Sequence, residues 1–340
     1  MQEGLIKVLK EKFVGDNLID IIIRSGYFSQ HFISWDYKST VNTVGDMMYG
    51  TKQFSSNFDI DKFISYCKGE FKFDIAPDFV SYRVKTKAEI DEILNDQRRK
   101  GLLEEGKMSF RGQTEEHYLD REIANPFRQD KLGREISILP GAYRKKDFNV
   151  SFVDQPRIIK LLVNQLDPSE SSDLYSHDIF RAEQHYATKT EGLDISFDIE
   201  TALFFSNYKY TLNDEKKALL KLVEKGQHKG VIYCFRFVDP PVKKTEFLIE
   251  SFSLFKKYVP ERILRQKCGL PVFSDYDRNI AVCDIDCIIY LDSDFEYVGL
   301  LKPRYMFPNR EEDKFYDKLL DLKEQFKNHR MIKNIVEYQI

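Results

Sequence analysis

Phe110-Arg111-Gly112-Gln113 follows Met108-Ser109 and ends a segment in which apolar and polar residues alternate. Such alternation predicts a strand, so we expect Arg111 near a strand end that faces a cleft. The planar guanidinium of Arg111 suits a phosphate or a carboxylate, and Gly112 is expected to let a phosphate approach the backbone closely. The alternative is that Arg111 forms an internal ion pair with one of the 55 acidic residues.

Composition limits the possible classes of protein. The 340-residue chain is 42% apolar and 14% aromatic, which is enough for a sizeable core. Its net charge of −3, from 52 basic and 55 acidic side chains, gives no global field for duplex nucleic acid or an anionic membrane. No leader-like start, no membrane-spanning apolar run and no Cys-x-x-Cys pair is found among five cysteines. We therefore expect a folded, cytoplasmic protein without a membrane partner.

Local patterns predict an α+β protein in three parts. These are an N-terminal extension over 1–84, a main domain over 85–295 and an amphipathic helical tail over 296–340, which packs on the core or binds a partner. Thr86, three residues before Glu89, predicts a helix start. Residues 231–238 are rich in β-branched and aromatic residues and predict a strand, as do 270–273 and 280–291. The basic segment 216–227 is interpreted as a connector.

A second polar cluster precedes the apolar run Ala202-Leu203-Phe204-Phe205. Leu193-Asp194-Ile195-Ser196 alternates, so Asp194 and Ser196 are predicted on one face of a short strand, with Asp198 capping the next helix. In one interpretation both residues only form the turn and the cap. In the other, Ser196 lies on the floor of a cleft and orients a catalytic group or a ribose.

Three further residues have two interpretations each. Ile179, Ala182 and Tyr186 have helical spacing, which places His185 on a helix as a structural donor or as a functional group. Arg144, after 139–143, would suit a diphosphate together with Arg111, or would form an internal ion pair as Arg111 could. The Gln266 amide, before a glycine turn, binds a ribose hydroxyl or closes that turn. No other His or Cys has metal-ligand spacing with His177 and His185, so no metal site is predicted.

In this order, the motifs resemble the FRG-domain family, a bacterial and phage-associated group named for its Phe-Arg-Gly motif. The resemblance covers about residues 85–290 and rests on Phe110-Arg111-Gly112-Gln113, Leu139-Pro140-Gly141-Ala142-Tyr143-Arg144, Gln184-His185-Tyr186, Leu193-Asp194-Ile195-Ser196, Ala202-Leu203-Phe204-Phe205, Arg262-Ile263 and 266–273. Glu191 stands where family members usually have an arginine.

More distantly, the chain resembles ADP-ribosyltransferases of the Arg-Ser-Glu type, which implies a mixed, split β-sheet with peripheral helices. Arg111 would then hold the phosphate or ribose of NAD, Ser196 would take the serine position, and Gln266 stands where the glutamate is expected. Because cleavage of the nicotinamide-ribose bond develops positive charge on the sugar, a carboxylate is needed there. Asp194 or Glu183 would supply it.

The resemblance implies NAD as substrate and assigns two groups of site residues. The implied catalytic residues are Arg111, Asp194, Ser196 and Gln266, and the implied cofactor-binding residues are Arg111, Gly112, Gln113, Tyr143, Arg144, His185 and Tyr186. Tyr143 and Tyr186 are expected to stack on the nicotinamide or adenine ring.

The implied acceptor is RNA, DNA or a protein, and a toxin or anti-phage role would imply a neutralising partner protein. Lys145, Lys146, Lys216, Lys217 and Lys221 form either a groove for single-stranded nucleic acid or a solvated surface. Two other functions remain open. Gln266 in place of glutamate favours a non-catalytic module that senses a nucleotide or a phage component, and admission of water would make the protein an NAD glycohydrolase.

Overall fold

The computed structural model describes residues 7, 10–11, 14–24, 65, 68–70, 80–119, 132, 134–138, 158–166, 177–187, 193–214, 217–236, 249–252, 254–269, 285–329, 332 and 335–340. The described elements in chain order are α1 (Asp16–Arg24), β1 (Val80–Thr86), α2 (Lys87–Leu94), α3 (Gln97–Glu104), β2 (Met108–Gln113), β3 (Tyr118–Leu119), β4 (Glu135–Ile136), α4 (Ile158–Leu166), α5 (His177–Tyr186), β5 (Ile195–Ser196), α6 (Ile199–Asn207), β6 (Tyr208–Leu212), β7 (Lys217–Leu222), β8 (Val231–Arg236), α7 (Glu261–Arg265), β9 (Cys268–Gly269), β10 (Ile285–Glu296), α8 (Pro303–Met306), α9 (Lys314–Gln325) and β11 (Glu337–Tyr338).

A mixed six-stranded sheet forms the centre of the described fold, in the order β1-β10-β8-β2-β5-β9. β1 runs parallel to β10, and the other neighbouring pairs are antiparallel. The register places Phe110 opposite Cys234 on one side and opposite Ser196 on the other. The predicted α+β class with a mixed sheet is thereby confirmed.

A separate three-stranded sheet, in the order β11-β7-β6, contains a strand that the sequence did not predict. The interpretation of 216–227 as a basic connector is wrong over β7, which pairs antiparallel with β6 along five residues. Ala218 is fully buried there, between Lys217 and Leu219, so this segment is a packed strand rather than a loop. The lysine content concealed a strand with one packed face.

Two predicted helix starts are confirmed in detail. Thr86 caps α2, since its hydroxyl accepts from the Glu89 backbone N–H at 3.4 Å while the Glu89 carboxylate accepts from the Thr86 N–H at 3.3 Å. Asp198 caps α6, since its carboxylate accepts from the Thr201 N–H at 3.1 Å. α5 and β8 also lie where the sequence predicts them. Local chemistry therefore determines where these elements begin.

The expected domain boundaries both fall inside strands. The boundary at 84/85 cuts β1, although β1 pairs with β10 from Val80 to Thr86. The boundary at 295/296 cuts the end of β10. The tail helix α9 packs in cis, because its buried Phe315 and Leu319 belong to the same apolar cluster as Ile179 and Ile263. The tail is thus part of the fold, and the question of cis or partner docking is answered for α9.

Among the described residues, no helix is both long and apolar enough to cross a membrane.

Candidate functional site

The neighbouring strands β2, β5 and β9 surround one cavity of about 160 Å³. α6 closes it with Ala202 and Phe205. Its other polar and glycine lining residues include Arg111, Gly112, Asp194, Ser196, Gln266 and Cys268. The sheet therefore brings the four residues predicted as catalytic to one place, where their side chains make different contacts.

One nitrogen of the Arg111 guanidinium forms a hydrogen bond within the described part of the protein, and another has no partner there. Its Nη1 donates a hydrogen bond to the backbone oxygen of Asp194. Its Nε is buried and has no hydrogen-bond partner among the described residues. Burial lowers the pKa of Arg111, and the nearby Asp194 carboxylate opposes that shift. A buried donor without an acceptor destabilises the folded protein, so an anion or a carbonyl oxygen bound in the cavity would be stabilised by accepting from it.

Asp194 supplies a carboxylate to the cavity, and its other contacts orient it. Gln184 Nε2 donates to its Oδ2 at 3.1 Å, and His185 Nε2 lies 3.5 Å from its Oδ1. Within the described part of the chain, neither His185 Nε2 nor Asp194 Oδ1 has a hydrogen-bond partner. The Asp194 side chain is 37% exposed, whereas that of His185 is 4% exposed. Asp194 thus faces the opening, and His185 lies behind it.

His185 is held in its neutral form. Burial lowers its pKa, the Asp194 carboxylate works in the opposite direction, and Arg262 adds to the lowering. His185 is absent from the lining of the cavity, so the expected direct contact with a cofactor is replaced by a contact with Asp194. The imidazole acts on the site through that carboxylate.

Ser196 joins β5 to the turn before β9. Its hydroxyl donates to the Gln266 backbone oxygen at 3.0 Å and accepts from the Asp198 N–H at 3.1 Å. Both directions of the hydroxyl are used within the protein. The Ser196 hydroxyl therefore holds together the turn that forms the cavity wall. This is the first of the two roles expected for Ser196, that of a turn residue.

The Gln266 amide is engaged in the same way. Its Nε2 donates to the Met306 backbone oxygen at 2.9 Å, and its Oε1 accepts from the Cys268 thiol at 3.7 Å. The residue is 3% exposed and ends α7. Gln266 thus holds α8 against the site and brings no charge to it.

Glu183, the alternative source of the carboxylate, is used elsewhere. It is 3% exposed and accepts from the Ile159 backbone N–H at 2.9 Å, at the start of α4. A buried carboxylate at a helix N-terminus is stabilised by the unpaired N–H groups and the helix dipole. The expectation that Glu183 serves the site is therefore wrong, and Asp194 is the carboxylate that the cavity contains.

Two expected contacts with a ligand are also corrected. A Cβ at Gly112 would lie 1.8 Å from the Ala202 backbone oxygen, so close packing of α6 on β2, rather than a phosphate, requires glycine there. The Tyr186 ring is 4% exposed, and the Arg262 guanidinium lies 4.3 Å from its centre. Tyr186 is a core residue and does not offer a free ring face.

The remaining predictions fall near the cavity or outside the described residues. Gln113 is buried and pairs with Val231, one residue beyond the lining. Tyr143 and Arg144 lie outside the described residues, as do Lys145, Lys146 and Lys216. Lys217 and Lys221 belong to β7, in the separate small sheet.

Cys268 is a lining residue that sequence reasoning missed. Its Sγ lies 4.0 Å from His185 Nδ1, which together with Asp194 resembles a nucleophile, base and acid in a row. Burial raises the pKa of Cys268 well above its usual value, so the thiol is protonated and poorly nucleophilic. The sequence offers no signal for this position, since a strand cysteine also fits as a small apolar residue.

Among the described residues, no group of three or more His, Cys, Asp and Glu side chains is arranged to hold a metal ion. Comparisons of the chain with protein-family models, with curated proteins and with solved structures find no match.

Proposed function

We propose that the protein is an NAD-using ADP-ribosyltransferase of the FRG-domain type, which transfers ADP-ribose to a macromolecular acceptor. The observation that carries the proposal is the meeting of Arg111 and Asp194 at one cavity. Each has a buried polar atom, Nε and Oδ1 respectively, without a hydrogen-bond partner among the described residues. A ligand oxygen at the Arg111 guanidinium would satisfy Nε, whereas Asp194 Oδ1 faces His185 Nε2 at 3.5 Å.

The order of the strands supports the same proposal. β2 carries Arg111, its neighbour β5 carries Ser196, and β9, the next strand, begins two residues after Gln266. Of the residues that the resemblance aligns with the Arg-Ser-Glu set, Arg111 and Ser196 thus lie on neighbouring strands, and Gln266 ends α7 just before the next strand. Residues this far apart in sequence meet only because the sheet pairs these strands.

In the proposed reaction, Asp194 takes the role that Gln266 cannot fill. The bond between ribose C1′ and the nicotinamide nitrogen breaks with its electron pair moving onto the nicotinamide ring, and positive charge develops on the ribose. The Asp194 carboxylate stabilises that charge, and Arg111 Nε donates to a phosphate or ribose oxygen. An acceptor nucleophile then bonds to C1′ and loses its proton.

The size of the cavity agrees with one ring. An engineered cavity of about 150 Å³ holds benzene, and the cavity here measures about 160 Å³. It therefore has room for the nicotinamide, whereas the adenylate half of NAD would lie outside it. We place the reaction in the cytoplasm, in keeping with the free thiols of Cys234, Cys268 and Cys287, and in an effector, toxin or anti-phage setting with a neutralising partner.

A specific observation favours a second candidate, a module that binds a nucleotide without catalysis. The position where the resemblance expects a catalytic glutamate is an uncharged Gln266 whose amide is tied to Met306. In that case NAD or another nucleotide would bind at Arg111 with no nicotinamide release. An NAD glycohydrolase differs from the transferase only in that water is the acceptor.

The test uses NAD labelled on its adenylate, mixed with the full-length protein and with separate pools of cell protein, RNA and DNA. We expect nicotinamide release, and label transfer to one pool, to fall at least about a hundredfold in Asp194→Asn, the typical cost of losing one electrostatic contact to the transition state. Asp294→Asn, which neutralises an exposed carboxylate outside the site, is the matched control and should retain wild-type rates. Arg111→Lys keeps the charge but loses the planar fork, so it should weaken NAD binding.

The other outcomes separate the candidates. Release without transfer to any pool would identify a glycohydrolase. NAD binding that depends on Arg111, without release, would identify the sensing module. If Asp194→Asn is as active as the wild type, Asp194 is not the carboxylate of the reaction.

A further inference from the structure

A second cavity, of about 310 Å³, lies at the C-terminal end of α6. It is nearly twice as large as the cavity of about 160 Å³ at the candidate site, and the two share no lining residue. The lining residues used below are Tyr208, Leu222, Lys225, His228, Tyr297 and Lys302. Its size lies at the lower end of the range of about 300–1,000 Å³ that is usual for small-ligand pockets.

We propose that this second cavity binds a small molecule in which a flat heteroaromatic ring is joined to a phosphate, as in a nucleoside monophosphate. Three features of the lining carry the proposal, and each concerns a different part of such a molecule: a buried imidazole without a partner, two fixed aromatic walls, and a pair of lysines at the mouth.

The imidazole of His228 is the first feature. The residue is 8% exposed, and its Nδ1 is buried without a hydrogen-bond partner among the described residues. Its ring packs edge-on against Phe295 with centroids 6.1 Å apart, so its orientation is fixed. Burial lowers the pKa of His228, which leaves the ring neutral, with one nitrogen as donor and the other as acceptor. A ring bearing nitrogen donors and acceptors complements either tautomer.

The aromatic walls are the second feature. The Tyr208 ring is stacked on Phe204 with centroids 4.6 Å apart and planes at 24°. The Tyr297 ring lies against Gly299, where an added Cβ would stand 2.6 Å from it. Rings that are held in this way lose little freedom on contact with a ligand, which favours a flat partner. Leu222 and Val298, 53% and 91% exposed, add apolar surface that a bound ring would cover.

The charges at the mouth are the third feature. Lys225 pairs with Glu296 at 2.9 Å, but both side chains are more than 60% exposed, so the pair is weak. Lys302 adds a second ammonium group. Among the lining residues, two lysines and one carboxylate leave a positive excess, although Asp294 also acts on Lys225 from outside the lining, and a phosphate with up to two negative charges can compete for Lys225. Tyr208, Tyr297 and neutral His228 add no charge at neutral pH.

Isothermal titration of adenosine monophosphate into the full-length protein tests this assignment. We expect one binding site whose affinity falls at least tenfold in His228→Phe, which keeps a ring but removes both nitrogens. The double variant Lys225→Ala/Lys302→Ala should also bind at least tenfold more weakly, and because both lysines are exposed, their removal leaves the core intact. Adenosine and inorganic phosphate, tested separately, should each bind at least tenfold more weakly than the monophosphate.

Two controls make the result specific to this cavity. Lys100→Ala/Lys318→Ala removes the same charge elsewhere on the surface and should bind like the wild type. Arg111→Lys alters only the candidate site and should also leave the affinity unchanged. No binding at millimolar monophosphate, or equal binding in both cavity variants, would overturn the assignment. A loss confined to Arg111→Lys would place the nucleotide in the candidate site instead, so this test and that of the proposed function fail separately.

Discussion

The guanidinium groups of Arg111 and Arg262 are both buried in the protein, but their surroundings differ. Arg111 donates to the Asp194 backbone oxygen and borders a cavity. Arg262 is 2% exposed, and its Nη1 donates to the His185 backbone oxygen at 2.7 Å. Four aromatic rings lie 4.3–5.2 Å from its guanidinium carbon, namely Tyr186, Tyr316, Tyr338 and Phe307.

The difference shows when an unpaired polar atom indicates a ligand. Within the described chain, Nε of both arginines lacks a hydrogen-bond partner. At Arg262 the negative faces of the rings stabilise the cation in place of acceptors. Burial by itself lowers the pKa of Arg262, yet the surrounding tyrosines and Asp313 raise it overall. At Arg111 the pKa is lowered by burial, and the residue lines the cavity of about 160 Å³. Only the second arrangement has room for a ligand.

His185 connects the two arginines. Its backbone oxygen accepts from Arg262, and its ring faces Asp194 at the other site. The aromatic cluster around Arg262 also joins α5 to the tail, through Tyr316 on α9 and Tyr338 on β11. The Arg262 cluster is therefore the structural support behind the wall that carries Asp194.

The largest expected effect is on stability, at Arg262. Arg262→Ala would empty a fully enclosed position and leave the His185 oxygen unpaired, at a cost of about 3 kcal/mol or more. Urea unfolding followed by circular dichroism measures the loss. The neighbouring Arg265→Ala is the control, since that side chain makes a 3.9 Å ion pair with Glu312 and an exposed 3.5 Å hydrogen bond to the Tyr305 oxygen, and its removal should cost less than about 1 kcal/mol. Equal losses in the two variants would remove the contrast between the arginines.

A smaller effect is expected at the wall of the Arg111 cavity. Gly112→Ala would place a methyl group against the Ala202 oxygen and push α6 away from β2, at a cost of about 1–3 kcal/mol. Gly101→Ala is the matched control, because nothing lies within 4 Å of its added Cβ and alanine favours the helix by about 0.5–1 kcal/mol. Thermal melts of both variants should move in opposite directions. An unchanged melting temperature in Gly112→Ala would show that the contact between α6 and β2 yields easily.

The smallest expected effect is a pH dependence that passes through His185. Its folded pKa is lowered from 6.5, so the unfolded state takes up the proton first as the pH falls. Its contribution to stability is present above pH 6.5 and is lost as the pH falls toward the lowered folded pKa. Denaturant midpoints measured from pH 7.5 downward should therefore decline less steeply in His185→Gln than in the wild type. Identical slopes would contradict a neutral, buried His185.

His228 provides the check on that slope. Burial lowers its pKa as well, so His185→Gln should remove only part of the pH dependence. The double variant with His228→Gln should be flatter than either single variant. A double variant as steep as His185→Gln would show that His228 contributes nothing.

Local chemistry made several elements predictable. Thr86 and Asp198 begin their helices because their side chains bond to the first free N–H groups, an interaction contained within four residues. The prediction failed at β7, because this segment is a strand through its pairing with β6, which its own composition does not indicate. The four residues predicted as catalytic line one cavity, whereas Glu183 and Tyr186 belong to the core and Cys268 was missed.

The sequence alone determined the α+β class, the starts of α2 and α6, and the order in which Arg111, Asp194, Ser196 and Gln266 occur along the chain. Only the tertiary structure decided which of these polar atoms remain unsatisfied. Ser196 and Gln266 find partners on segments distant in sequence, whereas Arg111 Nε and Asp194 Oδ1 find none among the described residues. The physical reason is that hydrogen-bond partners and open space depend on how strands pair and helices pack, which no local pattern specifies.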